Sequence, residues 1–376
     1  MIQIRALFTR NLVRPAAGSP VQTSLRTYVF VPQRGRVNNQ ARPGKKTAKQ
    51  KQDERRRARI ARFAPPDEEV IYGHSVILAA LQAGRRDLRT LYVKEEPEKD
   101  RKLKPITDLI LNTAMNIGVP IERVSKGELN ELTNYQVHQG VALRASGLQP
   151  THLTSITQYQ NGQYYGVTPP TKLLEFTTEK HAPVWLALDE VQDPRNLGAI
   201  IRSAYYFGVD GVLVCRKNSA PFTPVCSKAS AGAVELMDLY YTNKMMKFLR
   251  ACRTNGWAVV GATAAPRSQS IGSSSLIPMN RLGKTEQGVI LVVGNEGYGL
   301  RPMVRKKCTH HVAIPSTNPT RSPLIDSLNV SVASALLLNS FMRNRLEARL
   351  GEFENLVPPP NPLNTIELED EDEDDE

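Results

Sequence analysis

Short apolar runs separated by helical patterns dominate the second half of the chain. VWLAL (184–188), GVLVC (211–215) and VILVV (289–293) are uninterrupted apolar segments that are bounded by glycine, proline or charged residues. Runs of this length are typical of strands that are buried on both faces of a parallel sheet. We therefore predict an α/β domain over residues 183–350, with helices covering both faces of a parallel sheet.

One helix of this domain has clear start and stop signals. Asp193 is a good N-cap, Pro194 suits the first helical position, and Gly208 suits the end. Between them, Ile200 and Ala204 recur at the spacing of a buried helix face. The same reasoning predicts further helices at 228–235, 243–255 and 326–343, and strands at 257–263 and 311–315.

A smaller α/β pattern precedes this domain, over residues 66–145. Val76, Ile77 and Ala80 share one face of a predicted helix that ends at Gly84. After this helix, we predict strands at 88–93, 121–124 and 137–145 and helices at 106–117 and 126–132. This unit has no set of side chains that indicates catalysis by itself.

The segment between the two α/β patterns, residues 146–182, has a different composition. It is rich in polar residues, glycine and proline, as in the stretch SGLQPTHLTSITQYQNG. Such composition is typical of connecting segments. We predict an interdomain linker with little secondary structure.

The two ends of the chain carry opposite charge. Residues 1–63 contain 16 Lys and Arg against two acids, whereas nine of the ten residues 367–376 are acidic. The first thirty residues contain four arginines and no acid, with apolar positions near helical spacing, which is typical of a mitochondrial transit peptide. We predict a transit peptide and basic disordered segment over 1–65 and an acidic disordered tail over 351–376. A basic tail that binds nucleic acid is the alternative for the first segment.

The overall composition narrows the classes of protein. The net charge is +12, and about +7 of it lies in residues 64–366 once the charged ends are set aside. A basic body of this size is a mild indication of a polyanionic partner, with a solvated basic surface as the alternative. No apolar run approaches the roughly 20 residues that cross a bilayer, so no membrane span is expected. No C-x-x-C or H-E-x-x-H spacing occurs, so no metal is expected and the cysteines are expected to be free and buried.

The ends of the predicted strands indicate where a ligand binds. In an open α/β sheet, ligands bind outside the carboxyl ends of the strands. The loops after Leu188, Thr263, Val293 and Ile314 are therefore expected to lie near one another. The first strand lacks the G-x-G-x-x-G turn of dinucleotide-binding folds, which disfavours a nucleotide-dependent dehydrogenase.

Three segments taken together resemble the SpoU branch of the SPOUT RNA methyltransferases: DPRNLGAIIRSA, VVGNEGYGL, and IP followed by DSLNVSVASALL. The likeness is specific because all three occur in this order, each at a strand end. Their key residues are Asn196 and Arg202 in the first, Gly294, Glu296 and Gly299 in the second, and Ile314, Ser327, Leu328 and Asn329 in the third.

This resemblance implies the fold and the assembly. It implies a C-terminal SPOUT domain whose parallel sheet carries a trefoil knot that forms the cofactor site. It also implies that residues 66–145 form a small ribosomal-protein-like α/β domain that binds the substrate. Members of this family are usually homodimers whose active site draws on both subunits. The knot rests on the resemblance alone, because knots are nearly absent from proteins.

The implied activity is S-adenosylmethionine-dependent methylation of a ribose 2′-hydroxyl in RNA. Together with the transit-peptide pattern, the resemblance implies large-subunit rRNA in the mitochondrial matrix as the partner. It also implies a guanosine near the peptidyl transferase centre as the target. Two alternatives stay open: a tRNA 2′-O-methyltransferase, and a non-catalytic rRNA-binding factor of ribosome assembly.

The resemblance assigns catalytic roles. Arg202 is implied to activate the 2′-hydroxyl; because arginine is essentially never deprotonated, we expect it to grip a phosphate and stabilise negative charge on oxygen. Asn196 and Glu296 are expected to orient Arg202 and the ribose. Ser327 and Asn329, at the start of the last helix, are expected to hold a substrate phosphate or catalytic groups.

The remaining motif residues are expected to bind the cofactor. Gly294 would permit close backbone approach, Ile314 and Leu328 would flank the adenine, and Thr263 would border the site. The segment 316–326 is longer than the compact form common in the family. It is either an extra RNA contact or a tolerated surface insertion, and we favour the insertion.

Overall fold

The computed structural model describes residues 67–95, 104–178, 181–264, 276–279, 282, 286–318, 322, 327–343, 345 and 347. The predicted transit peptide and basic segment, the acidic tail and most of the segment 316–326 lie outside these residues. Within the described ranges, no helix is long and apolar enough to cross a membrane. In the same ranges, no group of three or more His, Cys, Asp or Glu side chains is placed to hold a metal ion.

The first domain is a small α/β unit built on a mixed four-stranded sheet with the order β1-β4-β2-β3. Strands β1 and β2 pair antiparallel with β4, and β2 pairs parallel with β3. Its elements are β1 (Glu69–Tyr72), α1 (His74–Ala83), β2 (Leu88–Lys94), α2 (Lys104–Asn116), β3 (Ile121–Val124), α3 (Lys126–Leu132) and β4 (Val141–Ala145).

Local signals explain most of these bounds. Helix α3 begins at a capping box, in which Ser125 and Glu128 satisfy each other's backbone N–H groups. Helix α1 ends at Gly84, which is left-handed with φ 60°. The last strand is shorter than the predicted 137–145, because Gln139 and Gly140 have positive φ and form a turn before it.

The second domain is the predicted α/β unit with a parallel sheet. Seven strands lie in the order β14-β12-β13-β9-β10-β11-β5, in which β5 is Thr151–His152, and every described pair is parallel. Its elements are β9 (Val184–Leu188), α4 (Pro194–Phe207), β10 (Gly211–Cys215), α5 (Pro224–Ala229), α6 (Ala233–Leu236), β11 (Leu239–Thr242), α7 (Met245–Thr254), β12 (Ala258–Thr263), β13 (Val289–Val293), α8 (Pro302–Arg305), β14 (His310–Ala313) and α9 (Val330–Phe341).

The continuous apolar strands are explained by a core on each face of this sheet. Leu186 and Leu188 of β9 point into one core, with Ile200 of α4 and Leu337 of α9. Trp185 and its neighbours at alternate positions point into the other core, which contains residues of α7 and α8. Because successive side chains alternate between faces, both sets must be apolar.

Residues 146–182 are more ordered than predicted, and the expectation of little secondary structure there is wrong. Strand β5 (Thr151–His152) extends the edge of the parallel sheet. Strands β6 (Ser155–Ile156), β7 (Gln163–Thr168) and β8 (Lys172–Thr177) form a separate antiparallel sheet of three. Along β7, alternate residues are buried, and this two-residue period was hidden by the polar and glycine-rich composition.

The predicted helix at 228–235 is also wrong, because the chain forms two short helices there. Helix α5 ends at Ala229 and α6 begins at Ala233, with Ala231 and Gly232 at φ 52° and 89° between them. A Cβ at Gly232 would lie 2.7 Å from the backbone oxygen of Ser75 in α1. The break therefore lets the first domain pack closely on the second.

A buried ionic cluster connects the two domains. The guanidinium of Arg86 donates to both carboxylate oxygens of Glu235, at 2.7 and 2.8 Å, and to Glu69 at 2.5 Å. The side chains of Arg86 and Glu235 have no exposed surface. Burial raises the pKa of Glu69 above its ordinary value, although Arg86 opposes this shift. Arg86 thus bonds β1 of its own domain and α6 of the other.

Helix α4, which carries two of the motif residues, follows its sequence signals closely. The side chain of Asp193 accepts from the backbone N–H of Arg195, Pro194 occupies the first turn, and Gly208 is the left-handed C-cap. The predicted caps are confirmed. The prediction of free buried cysteines is also confirmed, because Cys215, Cys226, Cys252 and Cys308 are all unpaired and buried.

Candidate active site

The predicted strand ends meet at one edge of the parallel sheet. Strands β14, β12, β13 and β9 are consecutive neighbours and run in the same direction. Their carboxyl ends are followed by Ile314, Ala264, Gly294 and Asp189, so these four positions lie at one edge of the sheet. This confirms that the four strand ends converge; most residues of the loops after β12 and β14 lie outside the described residues.

Glu296 connects the glycine-rich loop after β13 to the start of α4. Its carboxylate accepts from the backbone N–H of Gln192 at 3.1 and 3.2 Å and of Asp193 at 3.0 Å. It also accepts from the Nδ2 amide of Asn196 at 3.4 Å. A negative charge at this position is favourable, because the amino end of a helix carries partial positive charge.

Asn196 in turn connects α4 to α9. Its Oδ1 atom accepts from Nδ2 of Asn329 at 3.2 Å, across 133 residues of sequence. Asn329 is the N-cap of α9, and its Oδ1 accepts from the backbone N–H and the hydroxyl of Ser331. Glu296, Asn196 and Asn329 therefore form one hydrogen-bonded chain across the three motif segments.

Arg202 is not part of this chain. It lies six residues after Asn196 on α4, and its side chain is exposed. No hydrogen bond or ion pair joins Arg202 to any residue that the structure describes. The expected contacts of Asn196 and Glu296 with Arg202 are therefore not formed within one chain. Ser327 is exposed and lies two residues before the cap of α9.

The glycine-rich loop is closed on itself. The backbone of Asn295 and that of Gly299 exchange two hydrogen bonds of 3.0 Å. A Cβ at Gly294 would lie 2.3 Å from the carbonyl carbon of Gly299. Glycine is thus required at 294 by the fold of the loop itself, whatever approaches it from outside.

The other predicted cofactor residues surround the same edge. The hydroxyl of Thr263 donates to the backbone oxygen of Val312 at 3.4 Å, which ties the end of β12 to β14. Ile314 is half-buried and packs on the core under α4 and α9. Leu328 has 49% of its surface exposed, just before α9.

Sequence reasoning did not select the polar residues behind the loop. Arg301 binds the buried carboxylate of Asp189, with bonds of 3.0 and 2.5 Å, and contacts Glu190 at 3.2 Å. Tyr298 donates to Glu190 at 2.5 Å, and this bond raises the pKa of Tyr298 to about 12. Two acids directly after a buried strand were the available signal, because such charges need partners when they are buried.

Glu190 also has an unusual backbone. Its φ of 65° is left-handed, a conformation that is uncommon for a residue other than glycine. Its carbonyl oxygen accepts from Nδ2 of Asn295 at 2.9 Å. The contacts of Glu190 with Asn295, Tyr298 and Arg301 hold the glycine-rich loop against the end of β9, which places Glu296 beside α4.

Two family models match the two domains. The model described as the SpoU rRNA Methylase family matches residues 183–339. The model described as RNA 2′-O ribose methyltransferase substrate binding matches residues 70–151. The class defined by the parallel sheet and its motif-bearing edge is thus that of the SpoU methylases.

Relatives confirm this over most of the chain. The human rRNA methyltransferase 1, mitochondrial, is 36% identical over 280 residues, 74% of this chain and 73% of that protein. The protein of the same name from Saccharomyces cerevisiae is 34% identical over 329 residues, 81% of this chain and 77% of that protein. The chain belongs to the SpoU rRNA methylase family.

Solved structures show the same fold. The AdoMet-bound SpoU methyltransferase AviRb from Streptomyces viridochromogenes has a TM-score of 0.53 at 20% identity, over 78% of this chain and 93% of that chain. An AdoMet-bound rRNA methyltransferase from Sinorhizobium meliloti also has a TM-score of 0.53, over 74% of this chain and 88% of that chain. The predicted fold class is confirmed, and the trefoil knot stays a prediction.

Proposed function

We propose that this chain is an S-adenosylmethionine-dependent methyltransferase that modifies a ribose 2′-hydroxyl of mitochondrial large-subunit rRNA. The observation that carries the proposal is the hydrogen-bonded chain of Glu296, Asn196 and Asn329 at the carboxyl edge of the sheet. Ribose methylation is supported by the matched substrate-binding domain. Ribosomal RNA and mitochondria are supported by the names of the relatives.

The residues at the strand ends fit this cofactor. Ile314 is half-buried and Leu328 is half-exposed, so both offer apolar surface suited to an adenine ring. We assign Thr263 and Gly294, at the ends of β12 and β13, to the same site. When bound, S-adenosylmethionine supplies a methyl group on a positively charged sulfur. The solved structures from Sinorhizobium meliloti and Streptomyces viridochromogenes described above, which share this fold, contain AdoMet.

The protein's own groups position and polarise the acceptor. A ribose hydroxyl is a weak acid, so its oxygen must be deprotonated or polarised as it attacks. We assign Arg202 to donate to the substrate and stabilise negative charge, since its guanidinium is exposed and permanently charged. Glu296 already accepts from three donors, so we assign it to hold the start of α4 rather than to remove a proton.

We further propose that the enzyme is a homodimer in which Arg202 serves the site of a second copy. Arg202 shares a face of α4 with Tyr205 and Tyr206, and Tyr206 is 83% exposed. Helix α9 packs on α4 and exposes Val332 and Leu336. Exposed apolar patches of this kind mark interfaces. A mass near the 41.8 kDa of one chain in sedimentation equilibrium would contradict the dimer.

The substrate is tested by mapping 2′-O-methyl positions in mitochondrial rRNA and tRNA, with and without this protein. We expect the loss of one methyl group on a guanosine of large-subunit rRNA, near the peptidyl transferase centre. Wild type should restore it and Arg202→Ala should not. Loss confined to a tRNA would assign the chemistry to another substrate. If every methyl group persists, the enzymatic proposal is wrong and an assembly role is favoured.

The role of Arg202 is tested with purified protein. We expect Arg202→Lys to lower kcat by about 100-fold, because lysine does not reproduce the paired donors of a guanidinium. Thermal unfolding should not change, since the side chain is exposed. Lys172→Arg, the reverse exchange at an exposed lysine of β8 outside the matched substrate-binding domain, is the control and should keep wild-type kcat. An active Arg202→Lys enzyme would contradict the assignment.

A further inference from the structure

Two segments of the catalytic domain contain bases and no acids. Residues 239–264 and 297–318 contain eight Lys and Arg and no Asp or Glu. They include α7 and α8, which pack against each other on one face of the parallel sheet. We name the exposed surface of these two helices and their flanking residues the α7/α8 face. Its cations are Lys244, Lys247, Arg250, Arg253, Arg305, Lys306 and Lys307.

The charge of the α7/α8 face is not used to hold the fold together. Arg301, the eighth base, is the one that pairs with Asp189 and Glu190. Within the described part of the chain, no salt bridge involves the seven cations of the face. Six of them are exposed and Lys307 is half-buried. Arg253 donates to the backbone oxygen of Lys307 at 3.2 Å, which places its guanidinium beside the segment that follows α8.

The cations extend away from the candidate active site in a row. Lys244 follows the carboxyl end of β11, at the edge of the sheet that holds the site, and α7 runs from there toward the opposite edge. Lys247, Arg250 and Arg253 follow at steps of three residues. Residues at this spacing are neighbours on a helix surface, with roughly 5–6 Å between Cβ atoms. A strand of phosphates that leaves the site can therefore meet successive cations.

The apolar content of this face favours a nucleic acid over other polyanionic partners. Among the described residues of helices α7 and α8 themselves, the exposed large apolar side chains are Met246 and Met303, with 40% and 52% of their surfaces exposed. Helices that bind membranes present Trp, Phe or Leu on their apolar side. Protein interfaces are anchored by buried aromatic residues. A row of unpaired cations without such anchors is typical of a surface that binds a phosphate backbone.

We infer that the α7/α8 face binds the phosphate backbone of the RNA substrate, as an RNA surface of the catalytic domain itself. This inference rests on the proposed function, because it assigns a second contact region to the same substrate. The small domain and the catalytic edge hold the RNA at the target. The α7/α8 face holds the flanking backbone without reading its sequence.

The test uses the double variant Lys247→Gln/Arg250→Gln of the full chain and a transcript of mitochondrial large-subunit rRNA. We expect RNA affinity at about 100 mM salt to fall roughly tenfold and the slope of log K against log [salt] to fall by about 2, since each lost phosphate contact lowers it by about 1. The KM for RNA should rise while kcat at saturating RNA stays near wild type. The swap Lys247→Arg/Arg250→Lys keeps both charges and should behave as wild type.

A second comparison separates the effect of this face on RNA binding from the effect of the protein's net charge. Lys247→Gln and Lys172→Gln each remove one exposed lysine, the latter from the β7–β8 hairpin. We expect Lys247→Gln to weaken RNA binding and Lys172→Gln to leave it unchanged. Equal effects of the two variants, or wild-type affinity in the double variant, would overturn the inference.

The outcomes also separate this inference from the proposed function. If wild type methylates the transcript and the double variant binds it equally well, the α7/α8 face is not an RNA surface and the proposed function stands. If wild type binds the transcript through this face but transfers no methyl group to it, the inference stands and the proposed substrate is wrong. Matching melting curves for all variants ensure that the comparison is between folded proteins.

Discussion

Glu296 shows how one side chain can organise the candidate site at the residue scale. It accepts from two backbone N–H groups before α4 and from Asn196, which itself bonds to Asn329. A carboxylate with these donors is held in one orientation, because ionic hydrogen bonds are stronger than neutral ones. Glu296 therefore aligns the loop after β13 with the starts of two helices.

We expect Glu296→Ala to lower kcat by on the order of 100-fold, because small displacements of positioned groups cost about that factor. Glu296→Gln keeps one acceptor oxygen and should lose less activity. Methyl transfer to the rRNA transcript measures both. Glu286→Ala, at an exposed acid before the amino end of β13, is the control and should have no effect. Wild-type kcat in Glu296→Ala would contradict the positioning role.

At the scale of elements, the sheet of β6, β7 and β8 covers part of the parallel sheet. Tyr164 of β7 is 1% exposed, and its hydroxyl accepts from Nε1 of Trp185 at 3.0 Å. Phe176 of β8 packs on Trp185 with ring centroids 5.4 Å apart. Nε1 of Trp257 donates to the backbone of Thr157 at 2.7 Å. Tyr164 and the residue after β6 thus accept hydrogen bonds from the N–H groups of two buried indoles, so the small sheet is part of the core.

Tyr164→Phe tests this role. It removes the acceptor of a buried indole N–H, and we expect the free energy of unfolding to fall by about 1–2 kcal/mol. Chemical denaturation gives this value. Tyr165→Phe is the matched control at the next residue, where the side chain is half-buried, and should change the free energy by less than about 0.5 kcal/mol. Equal effects at the two positions would refute the importance of the bond.

At the scale of the whole molecule, the Arg86 cluster joins the small domain to the catalytic domain. Arg86 bonds to Glu69 in its own domain and to Glu235 in the other, with both residues of the Arg86–Glu235 pair fully buried. Removing one partner leaves unpaired charge in the interior, which is costly. The cluster therefore sets the position of the substrate-binding domain relative to the site.

We expect Arg86→Met to lower the free energy of unfolding by about 3–5 kcal/mol at neutral pH. Arg89→Met removes an exposed pair with Glu68 and should cost less than about 1 kcal/mol. The pKa of Glu69 is already raised by burial, and the loss of Arg86 should raise it further. When the pKa of a carboxyl group is higher in the folded than in the unfolded state, the free energy of unfolding falls as pH rises. The loss of stability caused by Arg86→Met should therefore be smaller at pH ~5.5 than at pH ~7.5. A deficit that does not depend on pH would contradict this origin.

The sequence by itself determined most elements of the two α/β domains and the identity of the motif residues, but it missed the strands within 146–182 and the break between α5 and α6. The apolar run at 184–188, the caps Asp193 and Gly208, and the three motif segments all have signals within a few neighbouring residues. Only the tertiary structure decided how Asn196 meets Asn329 across 133 residues, and where Arg86 finds Glu235. Such contacts depend on the order of strands and the packing of domains, which no local period of apolar residues encodes.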